Sequence, residues 1–397
     1  MEKSLSLKSV FIALHRIGPY HHARFRAAAQ HLRLQVLETR HLSAEYPWRW
    51  HHDNIYPTYR FSGHPCPEDD PPRAHLDRQI NDLLAVASPT VVVTVGWADR
   101  SYQRLLLACH IRRIPLVIVS DSRQRDEPRT GVKEWIKRQL LQGYSAALVA
   151  GSESRAYLNQ LGFPPGAVAE PWDVVNNAVF QAAADTAQSH RFPPLEASPH
   201  FLCVSRFVAK KNHAGLLAAY ATYQRQGGRW SLRLIGAGPL ETYIRQQIAQ
   251  LPDPKRVQLL PFCQLEELGR LYGQASAFVL ASSTDQWGLV VNEAMAAGLP
   301  CLVSSACGCA VDLIEHNRTG WCFDPSSTQA IAELMHTAER QPPAQRDAMV
   351  AAARQRLEAF TPLTFAQGLL AAVDQAISQP RFSRRAALVA RLLSHRP

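Results

Sequence analysis

The sequence predicts an α/β protein with two Rossmann-like, doubly wound domains, each built on a parallel sheet. Strands rich in β-branched residues alternate with helical patterns along the chain, which is typical of parallel βαβ layers. Residues 181–198 interrupt this alternation with small residues and two prolines, and a second βαβ series follows. We therefore expect domains at 1–180 and 199–361, a linker at 181–198, and C-terminal helices at 362–397 that cross back to the first domain.

The composition excludes several other classes of protein. The 397 residues are 46% hydrophobic and 19% charged, as in ordinary globular proteins. No run approaches the ~18 uncharged residues of a membrane span, and the apolar run near the N-terminus is too short for a signal peptide. We therefore expect a cytoplasmic protein, with the inner face of the membrane as an alternative location. The eight cysteines form no zinc-type pair, so we expect no metal site.

The positive charge is unevenly distributed along the chain. The net charge is +10, and the excess lies in the first half and in the tail. A nucleic-acid-binding protein would show a denser basic stripe with interleaved aromatic residues, so an anionic acceptor or an anionic membrane surface is a better partner. In the tail, Leu388 and Leu392 alternate with Arg384, Arg385 and Arg391. This segment either lies on an anionic membrane or packs on the first domain.

Two polar turns of the first domain follow predicted strands. The strand Ser9–Leu14 leads into a turn that contains Gly18, His21 and His22, and the strand PLVIVS leads to Asp121. Open α/β sheets bind ligands at the carboxyl ends of their strands. We therefore expect Gly18, His21 and His22 to bind an acceptor, and His22 and Asp121 to position it or to act as a base. The alternative for the first turn is a solvated basic loop.

Residues 45–75 are rich in proline, aromatic residues and histidine, and they show no clear period. Long segments without a period are either functional or irregular. Two interpretations therefore stay open for this segment, an acceptor-binding flap and an irregular excursion.

The second domain opens with a strand and a basic turn. The strand FLCV runs into SRFVAKKN, in which Arg206 and Lys211 can hold a diphosphate from two sides. The alternative is a solvated basic turn. The next strand ends in Gly236 and Gly238, which raises the possibility of a dinucleotide site. The third glycine of that fingerprint is replaced by Glu241, so the fingerprint fails. We expect no cofactor.

The segment Ser282–Asp312 reads as a polar turn, a short helix, a stop and a buried strand. Gly288 opens the helix, and Asp285 and Glu293 lie eight residues apart around its start. The unpaired backbone N–H groups of a helix N-terminus are a natural site for a phosphate or a ribose. A carboxylate within the helix can accept hydrogen bonds from sugar hydroxyl groups. Taken alone, the segment indicates a nucleotide-sugar site.

In order, these motifs resemble the retaining nucleotide-sugar glycosyltransferases of family 4, which have the GT-B fold. The family shows an R-x4-K turn, a G-x-G-P turn and the pattern S-x2-E-x-F-G-L-x3-E-A-x-A-x-G-x-P. The matching residues here are Arg206, Lys211, Gly236, Gly238, Pro239, Ser282, Asp285, Trp287, Gly288, Leu289, Glu293, Ala294, Ala296, Gly298 and Pro300. The first half of the chain looks like a bacterial polysaccharide-assembly branch of the same family.

The resemblance implies two domains that face each other across a cleft, with the donor on the second domain and the acceptor on the first. Arg206 and Lys211 would then bind the donor diphosphate, and Glu293 would bind the ribose. The backbone N–H groups of Gly288, Leu289 and Val290 would add phosphate contacts. The full donor-binding set is Gly236, Gly238, Trp287, Gly288, Leu289, Val290 and Glu293. The family lacks a D-x-D metal motif, as does this sequence, which implies catalysis without a metal ion.

Two positions depart from the family pattern. Asp285 replaces the first glutamate of the family's acidic pair, and Trp287 replaces a phenylalanine. In the family the first acid lies near the transferred sugar, so the shorter Asp285 is expected to change which hydroxyl group it contacts. We still count Arg206, Lys211 and Asp285 among the catalytic residues.

The sequence therefore predicts a retaining glycosyltransferase that moves a sugar from a nucleoside diphosphate sugar to a polysaccharide or lipid-linked acceptor. Retention would place the acceptor oxygen on the face from which the nucleotide leaves, with a leaving phosphate oxygen taking its proton. Two alternatives remain open. One is a nucleotide-sugar epimerase of the same architecture, and the other is a non-catalytic protein that binds nucleotide sugars.

Overall fold

A computed structural model of the protein describes residues 7–40, 48, 54–61, 73–189 and 198–395. The chain divides into two compact units. Unit 1 comprises Met1–Val174 and Pro362–Pro397, and unit 2 comprises Val175–Thr361. Each unit is built on its own parallel sheet, which confirms the predicted α/β fold class.

Unit 1 contains a seven-stranded sheet with the order β3-β2-β1-β4-β5-β6-β7, in which every neighbouring pair is parallel. Its strands are β1 (Ser9–Leu14), β2 (Arg33–Glu38), β3 (Thr58–Arg60), β4 (Val91–Val95), β5 (Leu116–Ser120), β6 (Ala146–Val149) and β7 (Val168–Ala169). The central strands are buried on both faces, which explains their continuous apolar sequences. The strand order reverses between β1 and β4, so ligands are expected to bind there.

Helices cover both faces of this sheet, and two of them come from the C-terminus. They are α1 (Pro19–Ala28), α2 (Arg73–Ala87), α3 (Arg100–Arg112), α4 (Gly131–Leu141), α5 (Ser152–Gln160), α14 (Pro362–Ser378) and α15 (Arg384–Leu393). Helix α14 packs on α1 and on β5, β6 and β7, and α15 packs on α3 and α4. At Gly368 of α14 an added Cβ would lie 2.6 Å from the carbonyl oxygen of Glu170, so this helix approaches the backbone closely.

Unit 2 contains a six-stranded parallel sheet with the order β10-β9-β8-β11-β12-β13. Its strands are β8 (His200–Val204), β9 (Ser231–Ile235), β10 (Val257–Leu260), β11 (Ala277–Leu280), β12 (Cys301–Ser304) and β13 (Trp321–Phe323). Its helices are α6 (Asn177–Ser189), α7 (His213–Arg225), α8 (Glu241–Ala249), α9 (Leu265–Gln274), α10 (Leu289–Ala296), α11 (Cys309–Leu313), α12 (Thr328–Arg340) and α13 (Pro343–Leu357). Here the strand order reverses between β8 and β11.

The structure differs from the expected linker at 181–198, because residues 181–189 belong to helix α6 of unit 2. This helix packs tightly on α9: a Cβ added to Gly269 would lie 2.6 Å from Cβ of Ala183, and one added to Gly273 would lie 2.7 Å from Cα of Ala184. The alanine-rich composition that indicated a linker is therefore what this close contact between helices requires. Residues 190–197 lie outside the described residues.

Most of the segment 45–75 also lies outside the described residues, although Thr58–Arg60 within it forms the edge strand β3. The described part therefore leaves both interpretations of this segment open. Among the helices that the structure describes, none combines the length and the apolar character that crossing a membrane requires.

Candidate functional site

Two turns meet in unit 2 at the point where the strand order reverses. One turn follows β8 and carries Arg206 and Lys211, and the other follows β11 and carries Asp285 and Gly288. The backbone joins them directly, since the N–H of Ser283 donates to the carbonyl oxygen of Lys210 at 2.8 Å. Open parallel sheets bind their ligands at such a point. The fold therefore brings the basic and acidic residues of the predicted site together.

Lys211 and Asp285 form an ion pair between these turns. Each side chain is only 11% exposed, so water screens the attraction weakly. The backbone around Asp285 is also fixed, because the N–H of Gly308 donates to its carbonyl oxygen at 2.8 Å. Ser282 Oγ lies 3.5 Å from Asp285 Oδ2. The lysine that we predict to be catalytic and the first acid of the predicted site are therefore in direct contact, which the motif alone did not predict.

The turn after β8 is anchored on both sides of Lys211. Phe207 is buried against His213, with 5.2 Å between ring centroids. Asn212 adopts a left-handed conformation and caps α7, where its side chain accepts a hydrogen bond from the N–H of Gly215 at 3.2 Å. Arg206 lies two residues after the end of β8 and is half-buried. The positions of both cations are thus set by neighbours that pack in the core or cap a helix.

Gly236 and Gly238 lie against this basic turn. A Cβ added to Gly236 would lie 1.9 Å from the carbonyl oxygen of Ser205, and one added to Gly238 would lie 2.6 Å from that of Phe207. The N–H of Phe207 also donates to the carbonyl oxygen of Ala237 at 2.8 Å. Only glycine permits so close an approach of two backbones. In the structure these glycines support the turn that carries Arg206 and Lys211.

Helix α10 begins directly after Gly288, which has a φ of 102°. A side chain would be strained in this left-handed conformation. The helix therefore starts at Leu289, and the N–H groups of Leu289 and Val290 lie in its first turn, where an α-helix leaves its donors without intrahelical partners. Val291 N–H donates to the carbonyl oxygen of Gly288 at 2.9 Å. The geometry places a helix N-terminus next to Asp285.

Trp287 points into the core of unit 2. Its side chain is buried, its Nε1–H donates to Asn292 Oδ1 at 2.9 Å, and its ring lies 5.4 Å from that of Phe360. The larger ring that departs from the family pattern is therefore accommodated by packing, and Asn292 satisfies its extra N–H group. This placement gives Trp287 a supporting role behind the site, whereas we had predicted that it binds the donor.

Glu293 is fully buried on α10. The hydroxyl group of Tyr272, on α9, donates to Glu293 Oε2 at 2.8 Å, and the ring of Tyr272 lies 5.9 Å from that of Phe180. The described structure therefore does not expose the carboxylate that we predicted to bind the ribose. Because the carboxylate is buried, a ribose contact would require the residues around it to open.

The sequence did not single out Ser205 and His213, which form a pair beneath the basic turn. Ser205 Oγ lies 3.0 Å from His213 Nε2. Burial and, to a lesser extent, the positive charge of Lys211 together lower the pKa of His213 to about 4. The imidazole is therefore neutral near pH 7 and adds no positive charge to the turn.

The predicted residues of unit 1 lie around the N-terminus of α1. The N–H of Gly18 donates to His21 Nδ1 at 3.2 Å, and His22 Nδ1 lies 3.0 Å from the hydroxyl oxygen of Tyr56. Desolvation lowers the pKa of His21 to about 3, and the charge of Arg24 contributes to this shift. The imidazole of His21 is therefore neutral near pH 7.

Buried Arg24 fixes the underside of this turn. Its Nε–H donates to the carbonyl oxygen of Val174 at 2.9 Å, and its Nη2 lies 3.2 Å from Asp173 Oδ1. Burial lowers the pKa of Arg24, although Asp173 and Asp121 act in the opposite direction. Asp121 follows β5, and its carbonyl oxygen accepts a hydrogen bond from Ser154 Oγ at 3.0 Å. Asp121 therefore lies near enough to Arg24 for their charges to interact.

Within the described residues, no group of three or more histidine, cysteine, aspartate or glutamate side chains is arranged to hold a metal ion.

The residues of the unit 2 site lie in a segment with known relatives. Residues 185–356 match the family model for glycosyl transferases group 1. This segment belongs to that family. The match includes Arg206, Lys211, Asp285 and Glu293, so the group 1 segment contains the ion pair and helix α10. It confirms the resemblance to glycosyltransferases that the motifs indicated, at the level of group 1. The predicted residues of unit 1 lie outside the matched segment.

Several bacterial glycosyltransferases are similar to this chain in sequence. The chain is 36% identical over 140 residues to the amylovoran biosynthesis glycosyltransferase AmsK of Erwinia amylovora, covering 34% of each chain. It is 28% identical over 183 residues to the putative colanic acid biosynthesis glycosyltransferase WcaL of Salmonella typhimurium, covering 44% of this chain and 43% of that one. The matched part therefore spans less than half the length of these relatives.

Solved structures share the fold over nearly the whole chain. Sucrose-phosphate synthase from Thermosynechococcus elongatus has a TM-score of 0.71 at 18% identity, and the match covers 94% of this chain and 99% of that one. HepE from Anabaena, in complex with UDP and glucose, has a TM-score of 0.70 at 17% identity, with 93% and 99% covered. At these identities the likeness shows the fold of the group 1 glycosyl transferase segment and of unit 1, and it shows no more than that.

Proposed function

We propose that the protein is a retaining glycosyltransferase that moves a sugar from a nucleoside diphosphate sugar to a polysaccharide or lipid-linked acceptor without a metal ion. The observation that carries this proposal is the meeting of the Arg206–Lys211 turn with Asp285 and the N-terminus of α10 in a group 1 segment. The names of AmsK and WcaL refer to polysaccharide biosynthesis, and the HepE structure contains UDP and glucose. These names support a polysaccharide product and a nucleotide-sugar donor.

In this proposal, positive charge stabilises the leaving nucleotide. Lys211 and Arg206 would contact the diphosphate, and the N–H groups of Leu289 and Val290 would add donors to the same oxygens. As the bond between the anomeric carbon and the phosphate oxygen breaks, its electron pair leaves with the nucleotide. The acceptor oxygen bonds to that carbon on the same face, and its proton passes to the leaving phosphate. Fixed positive groups aimed at the developing charge lower the barrier.

The ion pair gives Asp285 a defined part in this step. An ammonium group has three N–H donors, so Lys211 can hold Asp285 and a phosphate oxygen at the same time. Asp285 would then be held near the sugar, where its other oxygen can accept a hydrogen bond from a sugar hydroxyl. Glu293 remains our proposed ribose ligand, on the condition that its buried carboxylate becomes accessible when the donor binds.

We also propose that the protein acts at an anionic membrane surface, such as the inner face of the cell membrane. Helix α15 buries Ala386 and Ala390 against unit 1 and exposes Leu388 and Leu392, which are 58% and 63% exposed. Exposed arginines flank these leucines at positions 384, 385 and 391. One face of α15 therefore packs on the protein while the other combines apolar and basic groups, as interfacial helices do.

Vesicle binding tests this location. Replacing Leu388 and Leu392 with serine should weaken sedimentation with phosphatidylglycerol vesicles several-fold, because the apolar contact is lost. The buried residues Ala386 and Ala390 stay in place, so circular dichroism should be unchanged. Equal sedimentation of the variant and the unaltered protein would contradict the location.

Incubation with a panel of UDP- and GDP-sugars and bacterial lipid extract, followed by mass spectrometry, tests the function. We expect one donor to be consumed and a lipid or glycan to gain one sugar mass. Conversion of the donor to an isomeric sugar without an acceptor would support the epimerase alternative. Binding measured by calorimetry, with neither hydrolysis nor transfer, would support a non-catalytic protein.

A further inference from the structure

A second polar group lies in unit 1 where the strand order reverses, and it differs from the residues that the sequence patterns indicated. His15 directly follows β1, Arg40 follows β2, and Asp99 follows β4. Strand β1 lies between β2 and β4 in the sheet. The N–H of Arg40 donates to the carbonyl oxygen of His15 at 2.9 Å. Three adjacent strands therefore bring these side chains to one point at the ligand-binding edge.

The three side chains contact one another through Asp99. His15 Nε2 and Asp99 Oδ2 are hydrogen-bonded, and Arg40 Nη2 lies 3.2 Å from Asp99 Oδ1. The ring of His15 stacks on Tyr102, with centroids 5.7 Å apart and 6° between the planes. The His15 side chain is 47% exposed, whereas that of Asp99 is 21% exposed. The carboxylate is thus the inner member of the group, and the imidazole is the member that meets solvent.

This arrangement determines which ring nitrogen can receive a ligand. Burial acts to raise the pKa of Asp99, but His15 and Arg40 outweigh it and hold that pKa below its usual range. A carboxylate can only accept hydrogen bonds, so Nε2 of His15 carries the hydrogen. In the neutral ring Nδ1 then presents a lone pair. Among the described residues, none forms a hydrogen bond with Nδ1 of His15.

The role of Asp99 is not explained by its place on the helix. Asp99 is the N-cap residue of α3, yet its side chain makes no capping hydrogen bond. A capping aspartate usually accepts a hydrogen bond from the first turn of its helix, and here the carboxylate binds His15 and Arg40 instead. Gln103 Nε2 donates to the carbonyl oxygen of Ala98 at 2.7 Å, which fixes the turn. The half-buried ring of Trp97 lies in the same turn.

We propose that His15, oriented by Asp99, binds a hydroxyl group of the acceptor sugar through Nδ1. This inference rests on the proposed glycosyltransferase function. A fixed hydrogen-bond acceptor beside aromatic rings is the kind of surface that binds small polar ligands. His15 is then a binding residue, Asp99 is a positioning residue, and Arg40 balances the charge of Asp99. No proton is transferred to His15 in this role, because the leaving phosphate takes it.

The geometry favours His15 over the two histidines that the sequence indicated. Nδ1 of His21 accepts a hydrogen bond from the N–H of Gly18, and Nδ1 of His22 is engaged with the hydroxyl group of Tyr56. Nδ1 of His15 can therefore bind the acceptor sugar, whereas His21 and His22 use Nδ1 for contacts within unit 1.

Ligand binding can be read directly from the histidine rings of the full chain labelled with ¹⁵N-histidine. We expect the His15 signals to show a hydrogen on Nε2 and a lone pair on Nδ1. Titration with methyl glucoside, methyl galactoside or methyl mannoside should shift the Nδ1 signal of His15 saturably for one of them. The signal of exposed His31 serves as the internal control and should not move. The Asp99→Asn variant should lose both the fixed tautomer and the shift.

Absence of a saturable His15 shift with all three methyl glycosides would overturn the inference, as would an equal shift in Asp99→Asn. A shift in a protein that neither hydrolyses nor transfers any donor would leave the sugar site standing and contradict the proposed function. The two ideas therefore fail in different ways.

Kinetics supply a second readout in the active protein. In Asp99→Asn and His15→Gln we expect the KM for the acceptor to rise about tenfold, while donor hydrolysis without an acceptor stays within twofold. A merely structural role would instead lower donor hydrolysis and transfer together. His31→Gln should match the unaltered protein in both reactions. An acceptor KM within twofold of the unaltered protein in both site variants would overturn the inference.

Discussion

The two units place polar turns at equivalent points of their sheets, but they fix these turns differently. In unit 2 the turn after β8 is held by backbone contacts with Gly236 and Gly238, and a backbone hydrogen bond and an ion pair join it to the turn after β11. In unit 1 the group around His15 consists of side chains from the turns that follow three strands, and these side chains are hydrogen-bonded through Asp99. A site fixed by the backbone restricts the residue types in its turns, whereas a site built from side chains leaves a weak pattern. This difference explains why the motifs of unit 2 were readable and those of unit 1 were not.

The largest effect on stability is expected where the backbones of unit 2 meet. Gly236→Ala places a Cβ within 1.9 Å of the Ser205 carbonyl oxygen, so the two turns must separate at a cost of about 3 kcal/mol. Urea unfolding followed by circular dichroism measures this loss. Gly131→Ala is the matched control in unit 1, because an added Cβ there has no heavy atom within 4 Å. Equal midpoints for the two variants would remove the argument that unit 2 is fixed by its backbone.

The next effect concerns the neutral His213 beneath the basic turn. Its folded-state pKa of about 4 lies below the unfolded value of 6.5, so the unfolded state binds more protons between these values. The stability that this histidine contributes is therefore present above pH 6.5 and is lost as the pH falls towards 4. For this one histidine, the free energy of unfolding should be lower by about 2 kcal/mol at pH 5 than at pH 7.

Thermal unfolding from pH 7 to pH 4 tests this linkage. The free energy of unfolding should fall less steeply with falling pH in His213→Gln, because close to one fewer proton is taken up on unfolding. His31→Gln, at an exposed position, should keep the slope of the unaltered protein. A slope that is unchanged in His213→Gln would show that the protonation of this residue is not linked to folding.

The smallest effect is expected behind helix α10. Tyr272→Phe removes one donor from the buried carboxylate of Glu293, which should lower the free energy of unfolding by about 1 kcal/mol. Tyr243→Phe on α8 is a suitable control, because this tyrosine is 44% exposed. Urea midpoints measure both changes. Identical midpoints would show that the hydrogen bond from Tyr272 to Glu293 does not stabilise the fold.

Much of the fold was predictable from local patterns, because short apolar runs such as TVVVTV and FLCV that alternate with helical patterns favour buried strands. The basic turn and the helix start were predictable for a related reason, since glycines and cations at fixed spacing reflect backbone geometry. Helix α6 was missed because alanine-rich composition also suits a linker. The sequence alone does not show that these alanines pack against Gly269 and Gly273.

Contacts between distant residues could not be predicted. Lys211 and Asp285 are 74 positions apart, and His15 and Asp99 are 84 positions apart. Each pair depends on which strands become neighbours in the sheet, and the local patterns of a single sequence do not reveal the strand order. The burial of Trp287 and Glu293 has the same origin, because the spacing places them on a helix without showing which face meets the core.

The central claim is that Lys211 neutralises a diphosphate at the point where the strand order of unit 2 reverses. Calorimetry with UDP and with GDP tests it most directly, using Lys211→Ala and the matched variant Lys210→Ala. Lys210 carries the same charge one position earlier. Among the described residues, its hydrogen bonds involve only its backbone carbonyl oxygen. We expect Lys211→Ala to weaken binding of the preferred nucleotide about 100-fold, or about 3 kcal/mol, and Lys210→Ala to change it less than threefold. Equal affinities for the two variants would contradict the account.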